Sequence, residues 1–172
     1  SQDFVGTWDG SSALYNLTID GNGGTKIFRQ NMLIEGDLDV TVSDTFTSKV
    51  NTETLTVNGD VTVSGILGAA TQTGAYSFGS LTIAGTFEAT SGTTTLNGNL
   101  VNNGTFTHNS GTTTFATAGG KSITGSSTTA FYDFIVNQVG SGLDIVTDLT
   151  IEHNLTTLSG TFRVQPDNKG SE

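Results

Sequence analysis

Apolar and hydroxylated residues alternate along most of this chain in short bursts. Leu55-Thr56-Val57 and Val61-Thr62-Val63 flank Asn58-Gly59-Asp60, and Leu33-Ile34 and Leu38-Asp39-Val40-Thr41-Val42 flank Glu35-Gly36-Asp37. A period of two, rich in β-branched residues and punctuated by Gly, Asn and Asp, predicts short strands joined by tight turns. Residues 27–34 (IFRQNMLI) compete as a helix. Their surroundings, 24–40, parallel a strand-like stretch at 142–158, so strand is predicted there too.

The bursts recur at a near-constant step. Leu81-x-x-x-Gly85-Thr86-Phe87 returns as Leu100-x-x-x-Gly104-Thr105-Phe106, 19 residues on, and as Leu155-x-x-x-x-Gly160-Thr161-Phe162. The phrases TFEATSGTTTL (86–96) and TFTHNSGTTTF (105–115) keep the same beat. Residues 12–19 also echo 129–136, with 75–83 as a weaker copy. A fixed period near 20 is the mark of stacked units that bury their apolar faces only against neighbours. The prediction is an all-β, parallel β-solenoid of about eight short coils, with Leu, Val, Ile and Phe inward and Thr outward. An antiparallel β-sandwich also spaces strands at 8–12 residues, but gives no reason for one phrase to recur at multiples of one coil. The chain reads as a single repetitive unit over 1–172. A division into modules 1–64 and 75–166 is open, with the Gly/Ala-rich stretch 65–74 as junction.

Composition changes the picture in three ways. Hydrophobic residues are only 34% and the net charge is −10, a balance that can prevent collapse; the strict alternation of the apolar residues argues for order. Charged residues are 13%, against 32 Thr and 16 Ser, so the surface is built mainly from uncharged polar groups. Six basic against sixteen acidic residues exclude the basic stripe that phosphate binding needs, and with it nucleic acid as a partner. No apolar run approaches the roughly 18 residues of a membrane span, so membrane insertion is not expected. There is no Cys, hence neither disulfides nor thiolate metal sites. A chain opening at Ser1 without Met reads as a processed product or a fragment.

Candidate chemistry is sparse. The turns Gly36-Asp37-Leu38, Gly59-Asp60-Val61 and Gly98-Asn99-Leu100 recur at 23 and 39 residues, about one and two coils, and stack as a ladder in a solenoid. Asp37 and Asp60 there are either a Ca²⁺ site, the one cofactor the sequence suggests, or turn residues whose side chains bond nearby backbone. Asn97, Asn99, Asn102, Asn103 and Asn109 are candidates for amide ladders between coils. Asp144, Asp148 and Glu152 step by four and lack the neighbouring aromatics that a sugar-cleaving groove needs. His108 and His153 form no metal or catalytic motif and read as surface residues. Thr93-Thr94-Thr95 and Thr112-Thr113-Thr114, one repeat apart, suggest a flat hydroxyl face able to meet ice or a carbohydrate lattice, or simply strand Thr. Trp8, with Phe4, is placed to cap an open end.

The phrases AFYDFIV (130–136), LTVNGDVTV (55–63) and LSGTF (158–162) resemble those of repetitive β-solenoid surface proteins of bacteria, of the adhesin and filamentous-haemagglutinin-like type, and those of phage fibre proteins. The resemblance implies an extended, non-enzymatic scaffold or adhesion module, located extracellularly, at a cell surface or on a virion. Self-association is the expected partnership, with a glycan or cell-surface ligand as a further one. The alternative is a tailspike-like protein that binds or cleaves carbohydrate. Families of this kind carry no fixed catalytic residues, so none is transferred.

Overall fold

The structure, a computed structural model, describes residues 2–4 and 14–164. These form a parallel β-solenoid of about seven turns, slightly fewer than the eight expected. Among the described residues there is no helix; of residues 27–34, 27–28 and 32–34 lie on strands as predicted and 29–31 connect them.

Each turn visits three faces. Face one holds β2 (Leu17–Ile19), β5 (Leu38–Val40), β8 (Val61–Val63), β11 (Leu81–Ile83), β14 (Leu100–Asn102) and β17 (Lys121–Thr124). Face two holds β4 (Met32–Ile34), β7 (Leu55–Val57), β10 (Tyr76–Phe78), β13 (Thr93–Leu96) and β16 (Thr112–Phe115). Face three holds β1 (Gln2–Phe4), β3 (Gly24–Phe28), β6 (Asp44–Ser48), β9 (Ile66–Leu67), β12 (Thr86–Glu88) and β15 (Thr105–Thr107). The long β18 (Thr129–Ile145) bends round the coil, pairing with both β16 and β17, and β19 (Leu149–Val164) lies over it as the last described coil. Every pairing is parallel, as in Leu81↔Leu100 and Phe87↔Phe106, with coils stacking about 4.8 Å apart.

Parallel stacking in register turns alternation into columns. Phe46, Leu67, Phe87 and Phe106 follow one another inward on face three, and Phe131 continues the column at 5.2 Å from Phe106. Leu17, Leu38, Val61, Leu81, Leu100, Ile123 and Ile145 do the same on face one. The side chains from Ile19 to Ile145 in this core are buried almost completely. At the amino-terminal end of the Phe column a lysine takes an inward position. Lys26 Nζ lies 3.0 Å from Asp44 Oδ1, with both side chains buried. Asp44 Oδ2 accepts the Gly21 N–H and the Thr41 hydroxyl. The Gly21 amide first, then Lys26, holds the Asp44 carboxyl below its ordinary value, which keeps the pair ionised in a place that penalises unpaired charge.

The corners explain the glycines. At one corner Gly36, Gly59, Gly79 and Gly98 stack directly; the N–H groups of Gly59, Gly79 and Gly98 donate to the carbonyl of the glycine below, and that of Gly36 to the Tyr15 carbonyl. Gly79-Ser80 is the rung between Gly59-Asp60 and Gly98-Asn99, so the 39-residue interval is two coils. At a second corner a Cβ on Gly85 would lie 2.1 Å from the Gly65 carbonyl oxygen; a side chain there cannot fit without moving the coil below. Within residues 65–74, β9 pairs with β6 on one side and β12 on the other.

Two sequence echoes do not stack. Phe87 and Phe106 share a column, but Phe162 pairs with Leu143 on face one. Likewise Leu17–Ile19 lies on face one, and Asp133–Val136 lies against β16 on face two. Any inward strand asks for the same alternation, so one phrase can serve any face.

Gly85→Ala is expected to destabilise the protein by about 1–3 kcal/mol, while Thr82→Ala on an outward position changes stability by less than ~0.5 kcal/mol. Thermal or urea unfolding followed by circular dichroism checks both; equal effects would contradict the close-packed corner.

Candidate functional site

The Gly-Asp ladder is a chain of side-chain to backbone bonds. Asn16 Oδ1 accepts the Asp37 N–H at 2.8 Å, Asp37 Oδ1 accepts the Asp60 N–H at 2.8 Å, and Asp60 Oδ1 accepts the Ser80 N–H at 3.3 Å. Asn99 Oδ1 repeats this with the Ser122 N–H at 3.0 Å. Asp37 and Asp60 are thus brought to one corner on adjacent coils, each using an oxygen to satisfy the next coil's amide. Among the described residues no three His, Cys, Asp or Glu converge as a metal-holding group.

The other Asn candidates act the same way, reaching across to the neighbouring coil rather than stacking on one another. Asn97 Nδ2 donates to the Phe78 carbonyl, Asn109 Nδ2 to the Ala89 carbonyl, and Asn103 Oδ1 accepts the Ser126 N–H. Asn102 is fully buried on face one, where its Nδ2 donates to Thr129 Oγ1. The Thr motifs pair in register, with Thr93 over Thr112 and Thr95 over Thr114. The outward row runs Thr56, Ser77, Thr95, Thr114 and is bounded by Leu33 and Ile135. Asp144, Asp148 and Glu152 are not gathered together: Asp144 is paired with Arg163 at 2.6 Å, and Glu152 is paired with His108. Trp8 lies outside the described residues, and only the backbone of Phe4 is described.

One corner does gather chemistry-bearing groups, and the linear sequence does not announce it. The chain's two histidines sandwich Tyr132. The His108 and Tyr132 rings stack at 5.7 Å, and Tyr132 and His153 at 4.7 Å. His108 follows β15 in a turn where Asn109 and Ser110 have φ of 47° and 58°. That turn aims the Ser110 N–H at His108 Nδ1, 2.9 Å away. Nδ1 therefore accepts, the ring proton sits on Nε2, and Nε2–H points at Glu152 Oε2, 3.2 Å away on the last coil. In His153, Nδ1 lies 2.8 Å from Asn154 Nδ2. Its Nδ1 faces Asp133 Oδ1 at 2.8 Å, and Asn154 Nδ2 donates to the same oxygen at 2.9 Å. Hydrogen bonds from His153 first, and from Asn154, hold the Asp133 carboxyl below its ordinary value against some desolvation. Glu88 joins the corner from a lower coil by accepting from Asn109 Nδ2.

Two carboxylates, Asp133 and Glu152, thus stand on adjacent coils beside three aromatic rings. Chemically the corner can bind and orient polar ligands and carry a proton. Tyr132 has both ring faces covered by imidazoles, whereas His153 is half-exposed. Writing the sequence in rows of coil length would have brought these residues side by side; separate motif searches do not. No family model matches the chain, and comparisons with curated proteins and with solved structures gave no match either.

If the ladder works through backbone pairing, Asp60→Ala costs about 1 kcal/mol, the value of one hydrogen bond. Asp60→Asn, which keeps the accepting oxygen, costs clearly less. Unfolding measured with and without Ca²⁺ checks this; equal losses for both variants that appear only with Ca²⁺ would assign Asp37 and Asp60 to a cation.

Proposed function

We propose that this chain is a non-enzymatic structural module of an extracellular filament, a surface adhesin or a viral fibre, and that it associates through its ends. The observation that carries this reading is a parallel backbone ladder running through about seven coils as far as β19, where the pairing with β18 has register shifts. Among the described residues, β19 is paired on one side only. Its Leu155 is 46% exposed and Val164 68%, although both continue columns that are buried in the coils below. Ile145, Leu149, Ile151, Phe162 and Val164, together with Thr147 and Asp148, line a bowl of about 340 Å³ on this side of the stack. An open strand edge over an apolar floor is the surface on which another coil stacks, because each inner coil is already covered in that manner. Stiffness would come from the ladder, and solubility from the Thr-rich, acidic exterior.

A second reading rests on the corner at Tyr132. Paired acids from adjacent coils beside aromatic rings are what a carbohydrate-binding solenoid presents.

Light scattering with negative-stain imaging separates the two. Particles heavier than one chain are expected, shifting to monomers in Leu155→Lys/Val164→Lys. A concentration-independent wild-type monomer contradicts end association. Oligosaccharide binding by such a monomer, lost in Tyr132→Ala, would establish the second reading.

A further inference from the structure

Four Asn-Gly pairs occur in the chain, at Asn22, Asn58, Asn97 and Asn103. Such a pair carries the means of its own modification. The glycine nitrogen, once deprotonated, can attack the carbonyl carbon of the asparagine side chain, because no Cβ on the glycine screens the approach. For this the nitrogen must be free, and the two residues must be able to rotate toward each other.

The coil geometry denies this at three of the four. The Gly59 N–H donates to the Gly36 carbonyl at 3.0 Å and the Gly98 N–H to the Gly79 carbonyl at 2.8 Å, so both nitrogens are held in the stacked corner. Their asparagines are tied as well, Asn58 Nδ2 to the Glu35 carboxylate and Asn97 Nδ2 to the Phe78 carbonyl. The Gly104 N–H donates to Asn102 Oδ1 at 3.2 Å, while Asn103 Oδ1 accepts the Ser126 N–H at 2.9 Å. Asn22 differs on each count. It is exposed, in the turn between β2 and β3. Among the described residues neither its side chain nor the Gly23 N–H has a hydrogen-bond partner. Asn22, Gly23 and Gly24 have φ of 55°, 86° and 113°, the left-handed region that costs an L residue such as Asn22 energy. A Cβ added to Gly24 would meet no atom within 4 Å, so the turn has room to rotate.

We propose that Asn22 is a site of spontaneous deamidation, selected from the four Asn-Gly pairs by the fold. The Gly23 nitrogen gives up its proton to water and bonds to the Asn22 side-chain carbon, and ammonia leaves as the succinimide ring closes. Water then opens the ring at either carbonyl, giving Asp or iso-Asp at position 22. In sum, the amide and one water become a carboxylate and ammonium, and the chain gains one negative charge. The iso-Asp product also carries one extra atom in its backbone. That turn delivers the Gly21 N–H to Asp44 Oδ2 at 3.0 Å, and a Cβ on Gly21 would lie 2.2 Å from Lys26 Nζ. The lengthened backbone thus falls beside the buried Lys26–Asp44 pair, and the iso-Asp form is less stable than the Asp form.

Incubation of the folded chain in mildly alkaline buffer, followed by peptide mapping with mass spectrometry, tests this. The mass change marks each amide exchanged for a carboxyl, and fragmentation tells Asp from iso-Asp. Asn22 should convert at least about ten-fold faster than Asn58, Asn97 or Asn103, which react only when their corners open. In concentrated urea, where no corner survives, the four rates should converge. Asn22→Gln, shown by circular dichroism to be folded, should lose the early acidic species on isoelectric focusing. Conversion of Asn22 no faster than the other three in the folded chain overturns the proposal. So does a lead for Asn22 that persists unchanged in urea, or an early acidic species that survives Asn22→Gln.

Discussion

Everything in this molecule depends on the requirement that each coil's backbone pair in register with the next, about 4.8 Å away. That spacing leaves no room for side chains where two corners meet, which is why Gly59, Gly79 and Gly98 sit directly above one another and Gly85 above Gly65. It also forces like residues into columns, so the core is a set of parallel files of Phe, Leu, Val and Ile. Lys26 enters these files paired with Asp44 and Asn102 paired with Thr129, whereas the buried Tyr76 and Thr94 hydroxyls of face two have no hydrogen-bond partner. The same rule governs the exterior, where Asn16, Asp37, Asp60, Asn99 and Asn103 accept an amide of the following coil and Asn97 and Asn109 donate to a carbonyl of the preceding one.

A structure made of columns limits where chemistry can arise. Flat faces present repeating rows of single side chains, and the Thr and Ser row from Thr56 to Thr114 is such a row. Corners are where chain segments of unequal length bring unlike groups together. The Tyr132 corner is the clearest case, joining residues from the turn after β15, from β18 and from β19. It borders β19, which among the described residues is paired on one side only.

The fold was legible because its driving signals are local and repeated. Alternation marked the strands, and the Gly-Asp phrases at 36 and 59 with the Gly-Asn phrase at 98 marked one corner, with Gly79-Ser80 as the rung between them. The phrase at Gly160–Phe162 misled, since inward positions on all faces demand the same residues and identity of phrase does not mean identity of place. The histidine cluster was hidden for a related reason. From His108 to Tyr132 is one coil by 24 residues and from Tyr132 to His153 one coil by 21, so no constant period links them. The Lys26–Asp44 pair was equally silent, because an inward lysine becomes visible only once the register with Phe46 is known.

The most direct test of the account is a set of electron-spin distances between labels in one outward column. Thr18, Asp39, Thr62, Thr82, Val101 and Thr124 succeed one another on face one. With one label fixed at Thr124, the backbone separation should grow by about 4.8 Å per coil, reaching roughly 24 Å at Thr18. Separations that fail to rise in that order, as an antiparallel sandwich would give, would contradict the solenoid and everything built on it.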